Sequence, residues 1–350
     1  MSEIDFEGWT CPAPIRPTDK VILGHGSGGT LSRDLLNRLF LPELGKAAPR
    51  ALDDSAVVVM DGQRYALTTD SHVVSPLFFP GGDIGRLAIC GTVNDLAMVG
   101  ATPVALTCGF VLEEGLSFEV LQRVVKSMEE SAREAAIYIA AGDTKVVGKG
   151  GADKLFINTS GIGKIADGVN ISGANAKEGD VVIVSGTIGD HGITVLSARE
   201  NLGFETMLES DVAPLNHLVE LMISAGEVHV LRDPTRGGLA TSLVEISEQS
   251  NVMIEINEES LPMKLSVKAA CEVLGFDPMY VANEGKLVAF VREDDANRIL
   301  DVMKKTKYGE DAAVIGKVIG NGKSQVRLRT AIGGTRLVDM LPGEMLPRIC

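Results

Sequence analysis

The sequence predicts an α+β protein of two domains, on three observations. The chain has 350 residues, 45% hydrophobic and 23% charged, a globular composition long enough for two cores. Runs of β-branched and apolar residues alternate with Gly- and Asp-bearing turns. Amphipathic helical patterns follow those runs in both halves, so each half reads as a hairpin-rich sheet with helices on one side. Aromatics are only 4%, so the cores are mainly aliphatic. The 39 glycines suggest tight turns or loops that approach a ligand closely.

The elements follow in order. Residues 1–20 are acidic, Pro-bearing and unpatterned, and read as a mobile leader. In 21–40 a short apolar start and a glycine loop precede a helix, on which Leu31, Leu35, Leu36 and Leu39 repeat at helical spacing and Thr30 or Ser32 could cap. "SAVVVM" and "YALTTD" flank "DGQR", a hairpin signal. Residues 84–101 read as a helix with small residues on one face, "PVALTCGFVL" as a buried strand, and 117–140 as the clearest amphipathic helix. "AGDTKVV" and a strand "KLFINTSGIGKI" close the first domain, 21–168. The second, 169–339, reads as strand–turn–helix over "EGDVVIVSGTIGDHGITVLSAR", then the helix "PLNHLVELMISAG". A strand, polar loop and helix follow in "VHVLRDPTRGGLATSLVEISEQS", then the strand "VMIEINEESLP" and the helix "LSVKAACEVLG". "PMYVANEGKLVAFV" reads as strand–turn–strand, "DDANRILDVMKKT" as a helix, and "AAVIGKVI" and "QVRLRT" as strands. Residues 340–350 read as a flexible tail that ends on Cys350.

The net charge of −14 argues against nucleic acid and anionic membranes as partners. An acidic protein can still bind ATP if carboxylates hold a screening Mg²⁺. The five cysteines are odd in number and lack CxxC spacing, so a disulfide framework is not expected and the reducing cytoplasm is the natural compartment. Neither a signal-peptide pattern nor an apolar run of membrane-span length is present.

Several groups of residues could carry chemistry. Asp53 and Asp54 in "LDDSAV", Asp70 in "LTTDSH", Asp95 in "TVNDLAM" and Asp143 in "AGDTKVV" stand at strand or helix junctions. Singly, each could cap a helix or fill a turn. As a set among glycines and threonines, they suit a hard cation and its phosphates. The loop "LGHGSGG" (23–29) lets amides approach an anion, but it is neither a Walker nor a dinucleotide fingerprint and could be a plain loop. Lys145 beside Asp143 could be a surface pair, and Glu284 in "ANEGKL" could edge a turn. Facing one pocket, the two could move protons. Arg232 and Arg236 in "RDPTRGGL" could hold phosphates, or Asp233 and Thr235 could cap the next helix. His191 in "GDHG" reads as a ligand contact or a turn residue. Pro342 and Pro347 stiffen the segment before Cys350, and about ten extended residues reach roughly 30 Å. Such a thiol could be loaded at one site and processed at another.

Together, "HGSGG", "LTTDS", "CGFVLEEG", "GDTKVV", "VSGTIGDHG", "RDPTRGGL", "ANEGKL" and the terminal "PRIC" resemble the HypE family of hydrogenase maturation factors. The resemblance covers about 21–350 and lies within the superfamily of aminoimidazole ribonucleotide synthetase. It implies a two-domain fold with an N-terminal domain that forms a dimer barrel, a C-terminal α/β sandwich, and ATP between them. The implied activity is a carbamoyl dehydratase: a thiocarboxamide on Cys350 is dehydrated with ATP to a thiocyanate, supplying cyanide to the iron of [NiFe] hydrogenase. The implied partners are the carbamoyltransferase HypF and the HypC–HypD iron carrier. By the same resemblance Cys350, Lys145 and Glu284 are catalytic. His25, Gly26, Gly28, Gly29, Asp70, Asn94, Asp95 and Arg236 contact the nucleotide, and Asp54, Asp70, Asp95 and Asp143 hold Mg²⁺. The leader, with Trp9 and Cys11, lies outside the matching motifs. Rival readings are a small-molecule kinase or synthetase of the same superfamily, which has no use for Cys350, and a non-catalytic hydrogenase assembly module, which turns over no ATP.

Overall fold

The computed structural model describes residues 20–45, 52–202, 208–341, 343, 346 and 348–350. The expected leader apart from Lys20, including Trp9 and Cys11, and the tail prolines Pro342 and Pro347 lie outside the described residues.

The chain passes a 3-10 turn (Leu23–Gly26) into α1 (Thr30–Leu35), which continues through a π-helical turn (Leu36–Phe40) into α2 (Leu41–Leu44). Gly29, rather than Thr30 or Ser32, is the N-cap of α1. The hairpin forms as its turn signal predicts. β1 (Ala56–Met60) and β2 (Gln63–His72) pair antiparallel, with Asp61 and Gly62 at φ 51° and 79°, the left-handed geometry that matches strand twist. After short β3 (Phe78–Phe79) and β4 (Gly82–Asp83) comes α3 (Ile84–Met98). The Asp83 carboxylate caps it, accepting from the Gly85 and Arg86 amides. Then follow β5 (Ala101–Glu113), α4 (Phe118–Glu134), β6 (Tyr138–Val147) and β7 (Leu155–Ile165).

The helix expected over 117–140 therefore stops at Glu134. Ala136 takes φ 55°, and Tyr138–Val147 pairs parallel with β5 instead. Tyr and Ile suit a strand, and the ladder overrides the helical period. The sheet order is β1-β2-β7-β5-β6. Helices α3 and α4 build the core on one face. Met60, Leu67 and Val111 stand exposed on the other, and edge strand β6 is exposed along nearly all its length.

The second unit contains β8 (Val181–Val184), α5 (Asp190–Glu200), α6 (Asn216–Ala225), β9 (Val228–Arg232), α7 (Gly238–Ser250) and β10 (Val252–Asn257). It continues with α8 (Leu265–Leu274), β11 (Val288–Val291), α9 (Glu293–Met303), β12 (Ala313–Asn321), β13 (Gln325–Arg329) and β14 (Thr335–Val338). The order is β14-β13-β10-β12-β8-β11-β9. Val182 and Val184 pack with Leu239 and Leu243 of α7, while Ile183 packs with Met222 of α6 and Ile299 of α9. Alternate residues face opposite layers, so this sheet is sandwiched between helices. Helices on one side only is correct for the first sheet and not for the second. Of "PMYVANEGKLVAFV" only the last part is a strand, and Pro278–Tyr280 form a 3-10 turn. Strand β14 was not expected.

Helix α3 joins the units. Its Ala97 and Met98 belong to the second unit's core. Asn94, expected at the nucleotide, is instead a buried strut. Its amide nitrogen donates to the carbonyls of Ala213 (3.0 Å) and Glu284 (3.3 Å), and its oxygen accepts from Leu215 N (2.8 Å). Asn94→Ala leaves these backbone groups unpaired and should cost about 2–4 kcal/mol in urea unfolding. A loss under about 0.5 kcal/mol would contradict the strut.

Candidate active site

The site lies where β2, the last turn of α3 and the loop after β9 meet. Thr68 on β2 donates to Asp95 Oδ2 on α3 (2.8 Å), and Ser55 Oγ to the Asp95 carbonyl (2.9 Å). Gly91 permits this approach: a Cβ there would stand 3.1 Å from His72 and 3.4 Å from Asp70 Oδ2. Asp54 forms a buried ion pair with Arg232 (2.7 Å). Arg232 is thus a counter-ion within the fold, not the phosphate holder the sequence suggested. Its neighbour Asp53 accepts from Gly173 N (2.8 Å) and Ser172 Oγ (2.7 Å), tying down the link between the units.

The carboxyls crowd one another. Burial, then Asp233, Asp70 and Asp54, pushes Asp95 well above the usual carboxylate range. Burial and Asp54 do the same to Asp233 despite Arg232, and burial raises Asp54 against Arg232. At Asp70 burial also opposes charge, but His72, Arg236 and the Ser71 amide outweigh it and the pKa falls. Glu284 is buried and held well up by burial, then by Asp233, Asp70 and Asp211. Its Oε1 has no hydrogen-bond partner. Carboxyls that hold one another protonated are groups that a divalent cation would ionise. Among the described residues no three are arranged to hold an ion by themselves. That suits a cation taken by one or two carboxylates and completed by phosphate oxygens.

Arg236 faces Cys350, Asp70, Glu284 and Asp95 and donates to the Gly26 carbonyl (3.2 Å). The glycine loop packs tightly around it. A Cβ on Gly28 would stand 2.6 Å from Arg236 Cβ, and one on Gly29 would stand 2.2 Å from the Leu341 carbonyl oxygen. His25 Nδ1 accepts from Ile22 N (3.0 Å), so its ring closes the loop on itself.

The tail, expected to be flexible, is docked at its end. Val73 N donates to the terminal carboxylate of Cys350 (2.9 Å) and Ser75 N to the carbonyl of Arg348 (3.3 Å). Arg199 also donates to the Arg348 carbonyl (2.6 Å), and His191 Nε2 to that of Ile349 (2.8 Å). The Arg348 side chain pairs with Asp153 (2.8 Å). Buried backbone groups need partners, and here each of the last three residues has one at its carbonyl or carboxylate. Cys350 borders a cavity of about 150 Å³ with Ser71, Arg236 and Arg348. Burial, then Glu284, pushes its thiol up to about 12 against Arg236, so the docked sulfur is protonated. Larger hollows, about 690 Å³ beside Phe78 and about 570 Å³ under α4, lack both the crowded carboxyls and this thiol.

Asp143 and Lys145 are not brought to this cluster within one chain. They pair with each other (2.6 Å) on β6, both side chains exposed. Register aligns Asp143 with Gly109, Asn158 and Ser71, on the face opposite Asp70. They lie three strands from β2, roughly 14 Å across the sheet. Asp233 and Asp211 belong to the cluster, but the sequence reading weighed Asp233 only as a cap and passed over Asp211. The quoted "RDPTRGGL" held the signal for the first, and no local pattern marks the second.

Residues 52–165 match the family described as AIR synthase related protein, N-terminal domain, and 177–329 its C-terminal domain. "Carbamoyl dehydratase HypE" of Cupriavidus necator is 48% identical over 345 residues, covering 98% of both chains. The crystal structure of a HypE–HypF complex matches with TM-score 0.83 and 52% identity, over 88% of this chain and 99% of that one. That of the hydrogenase maturation protein HypE in complex with ATP matches with TM-score 0.80 and 49% identity, over 93% and 98%. With both halves matched in order and near-full-length relatives well above chance identity, the chain belongs to the HypE family of AIR synthase related proteins.

Proposed function

We propose that this chain is an ATP-dependent carbamoyl dehydratase that works on its own C-terminus. A carbamoyl group carried as a thiocarboxamide on Cys350 becomes a thiocyanate, which supplies cyanide for the iron of [NiFe] hydrogenase. One observation carries the reading: the terminal thiol borders a cavity with Arg236 and lies within the charge field of Glu284, Asp70 and Asp233. A small-molecule kinase would leave that place to a free substrate.

The chemistry suits these residues. Amide oxygen is a poor leaving group until it is phosphorylated. The oxygen takes the γ-phosphoryl group and ADP departs. The C–O bond then breaks as phosphate leaves, and the nitrogen gives up two protons to form the C≡N bond. Phosphoryl transfer asks mainly for positioning and charge neutralisation. Arg236 can steady anionic oxygen beside the thiol. Glu284, in its ionised form, can take a proton from nitrogen. Of Asp54, Asp70 and Asp95, one or two would hold Mg²⁺, which would shield the triphosphate. In one chain Asp143 is not among them.

Loading at HypF fits a thiol that is protonated where it docks, because thiolate chemistry needs the tail elsewhere. Release to the HypC–HypD carrier needs the same movement. Four cysteines are free among the described residues, in keeping with the cytoplasm, and no described helix is long and apolar enough to cross a membrane. The exposed Met60, Leu67 and Val111 and the edge strand β6 support a homodimer through this sheet. Lys145 lies on the same face, so we assign its role to the cleft of the second copy.

Mass spectrometry of the C-terminal peptide, after incubation with HypF, carbamoyl phosphate and MgATP, should show a thiocyanate on Cys350 and none in Cys350→Ala. An unmodified peptide beside a phosphorylated small molecule would establish the kinase reading instead. Glu284→Ala and Lys145→Ala should each bind ATP and accumulate the carbamoylated form. Mixed dimers of Lys145→Ala with Cys350→Ala should recover thiocyanate formation, whereas Glu284→Ala with Cys350→Ala should not. Recovery in neither mixture would sink the cross-subunit assignment.

A further inference from the structure

We propose that His191, set by Ser210 and Phe79, is a positioning residue that together with Arg199 clamps the C-terminal segment in one place, so that Cys350 stops beside Arg236 and near Glu284. Residues 348–350 lie antiparallel to 73–75: Val73 N meets the terminal carboxylate of Cys350 and Ser75 N the carbonyl of Arg348, while Arg348 Nε returns a bond to the Val73 carbonyl (3.0 Å). The segment is not a regular strand, and Arg348 takes φ 51°. The Ile349 carbonyl, between the two groups that meet 73–75, is met by His191 Nε2 at 2.8 Å.

The ring can do only this job as it is held. A carbonyl accepts, so Nε2 carries the proton. Nδ1 then accepts from the Ser210 hydroxyl (2.8 Å), whose oxygen accepts from Val212 N (3.2 Å). Phe79 stands edge-on to the imidazole, with centroids 5.5 Å apart, and burial keeps the ring neutral. Arg199 fixes the segment by bridging the Ser75 carbonyl (2.8 Å) to that of Arg348 (2.6 Å). Ile349 fills the adjoining core at 4% exposure. A slip of one residue would break these bonds, draw Ile349 out of the core and displace the thiol.

The clamp itself is independent of the dehydratase reading, but its catalytic consequence rests on Cys350 being the carrier. The test is labelling by iodoacetamide without nucleotide, read peptide by peptide. His191→Leu should label Cys350 about tenfold faster, from loss of a buried hydrogen bond, with Cys90, Cys108 and Cys271 still protected. His191→Gln, whose amide can reach the same carbonyl, should restore most of the protection. Arg199→Gln supplies a second variant if His191→Leu does not fold. Unchanged Cys350 labelling, all four thiols rising together, or no rescue by Gln would overturn the clamp. On the carbamoylated chain, single-turnover conversion with ATP should slow by about the same factor in His191→Leu. Faster labelling with unchanged conversion would overturn the positioning role and leave the carrier reading standing. Unchanged labelling would overturn the clamp alone, and no conversion in the unsubstituted chain would overturn the carrier reading.

Discussion

Thirteen of the fifteen residues of α3 are buried, so every side of that helix must be met by something. The first sheet and α4 meet two sides, and α6 and the loops after α5 and α8 meet the rest through Asn94, Ala97 and Met98. Small residues make the approach possible. A Cβ on Gly161 of β7 would stand 2.8–2.9 Å from Leu106, Leu96 and Thr92. The cleft is therefore a product of packing. It exists because one helix serves two cores, and Asp95 sits where the two meet.

That closeness has an electrostatic cost that shapes the chemistry. Burial raises the pKa of Asp54, Asp95, Asp233 and Glu284, and neighbouring carboxylates add to it at each: Asp53 at Asp54, Asp233 at Asp95 and Glu284, and Asp54 at Asp233. Arg232 neutralises the deeper side and Arg236 the side that faces the tail. Removing one partner of such a buried group leaves the other uncompensated, so the arginines hold the fold together as well as serving the site. The tail adds a neutral thiol to this surrounding, which is compatible with burial where a thiolate would not be.

Much of this was legible in the sequence, and what was not has physical reasons. The Asp61–Gly62 hairpin was readable because its turn demands left-handed residues. Asp54, Asp70 and Asp95, before β1, near the end of β2 and on α3, could be grouped with the terminal Cys350 because these residue types have few other uses as a set, whereas Asp143 stands in the middle of β6 and apart from them. Strand β6 was hidden because an edge strand exposed on both faces carries no alternation, and its pairing with β5 is non-local. Asn94 looked like a ligand contact because a buried amide strut and a binding amide have the same local signature. Asp211 was invisible because only the folded chain brings its loop to Glu284. His191 reads locally as a ligand contact or a turn residue, since its partner, the Ile349 carbonyl, lies 158 residues away.

The central claim is that the carbamoyl carbon becomes a nitrile while attached to Cys350 inside this cleft. Infrared spectroscopy of the carbamoylated chain through a single turnover tests it most directly. On addition of MgATP a nitrile band should appear in step with ADP, remain with the protein, and shift when the carbamoyl carbon is ¹³C. ADP formation with no protein-bound nitrile band would contradict the account.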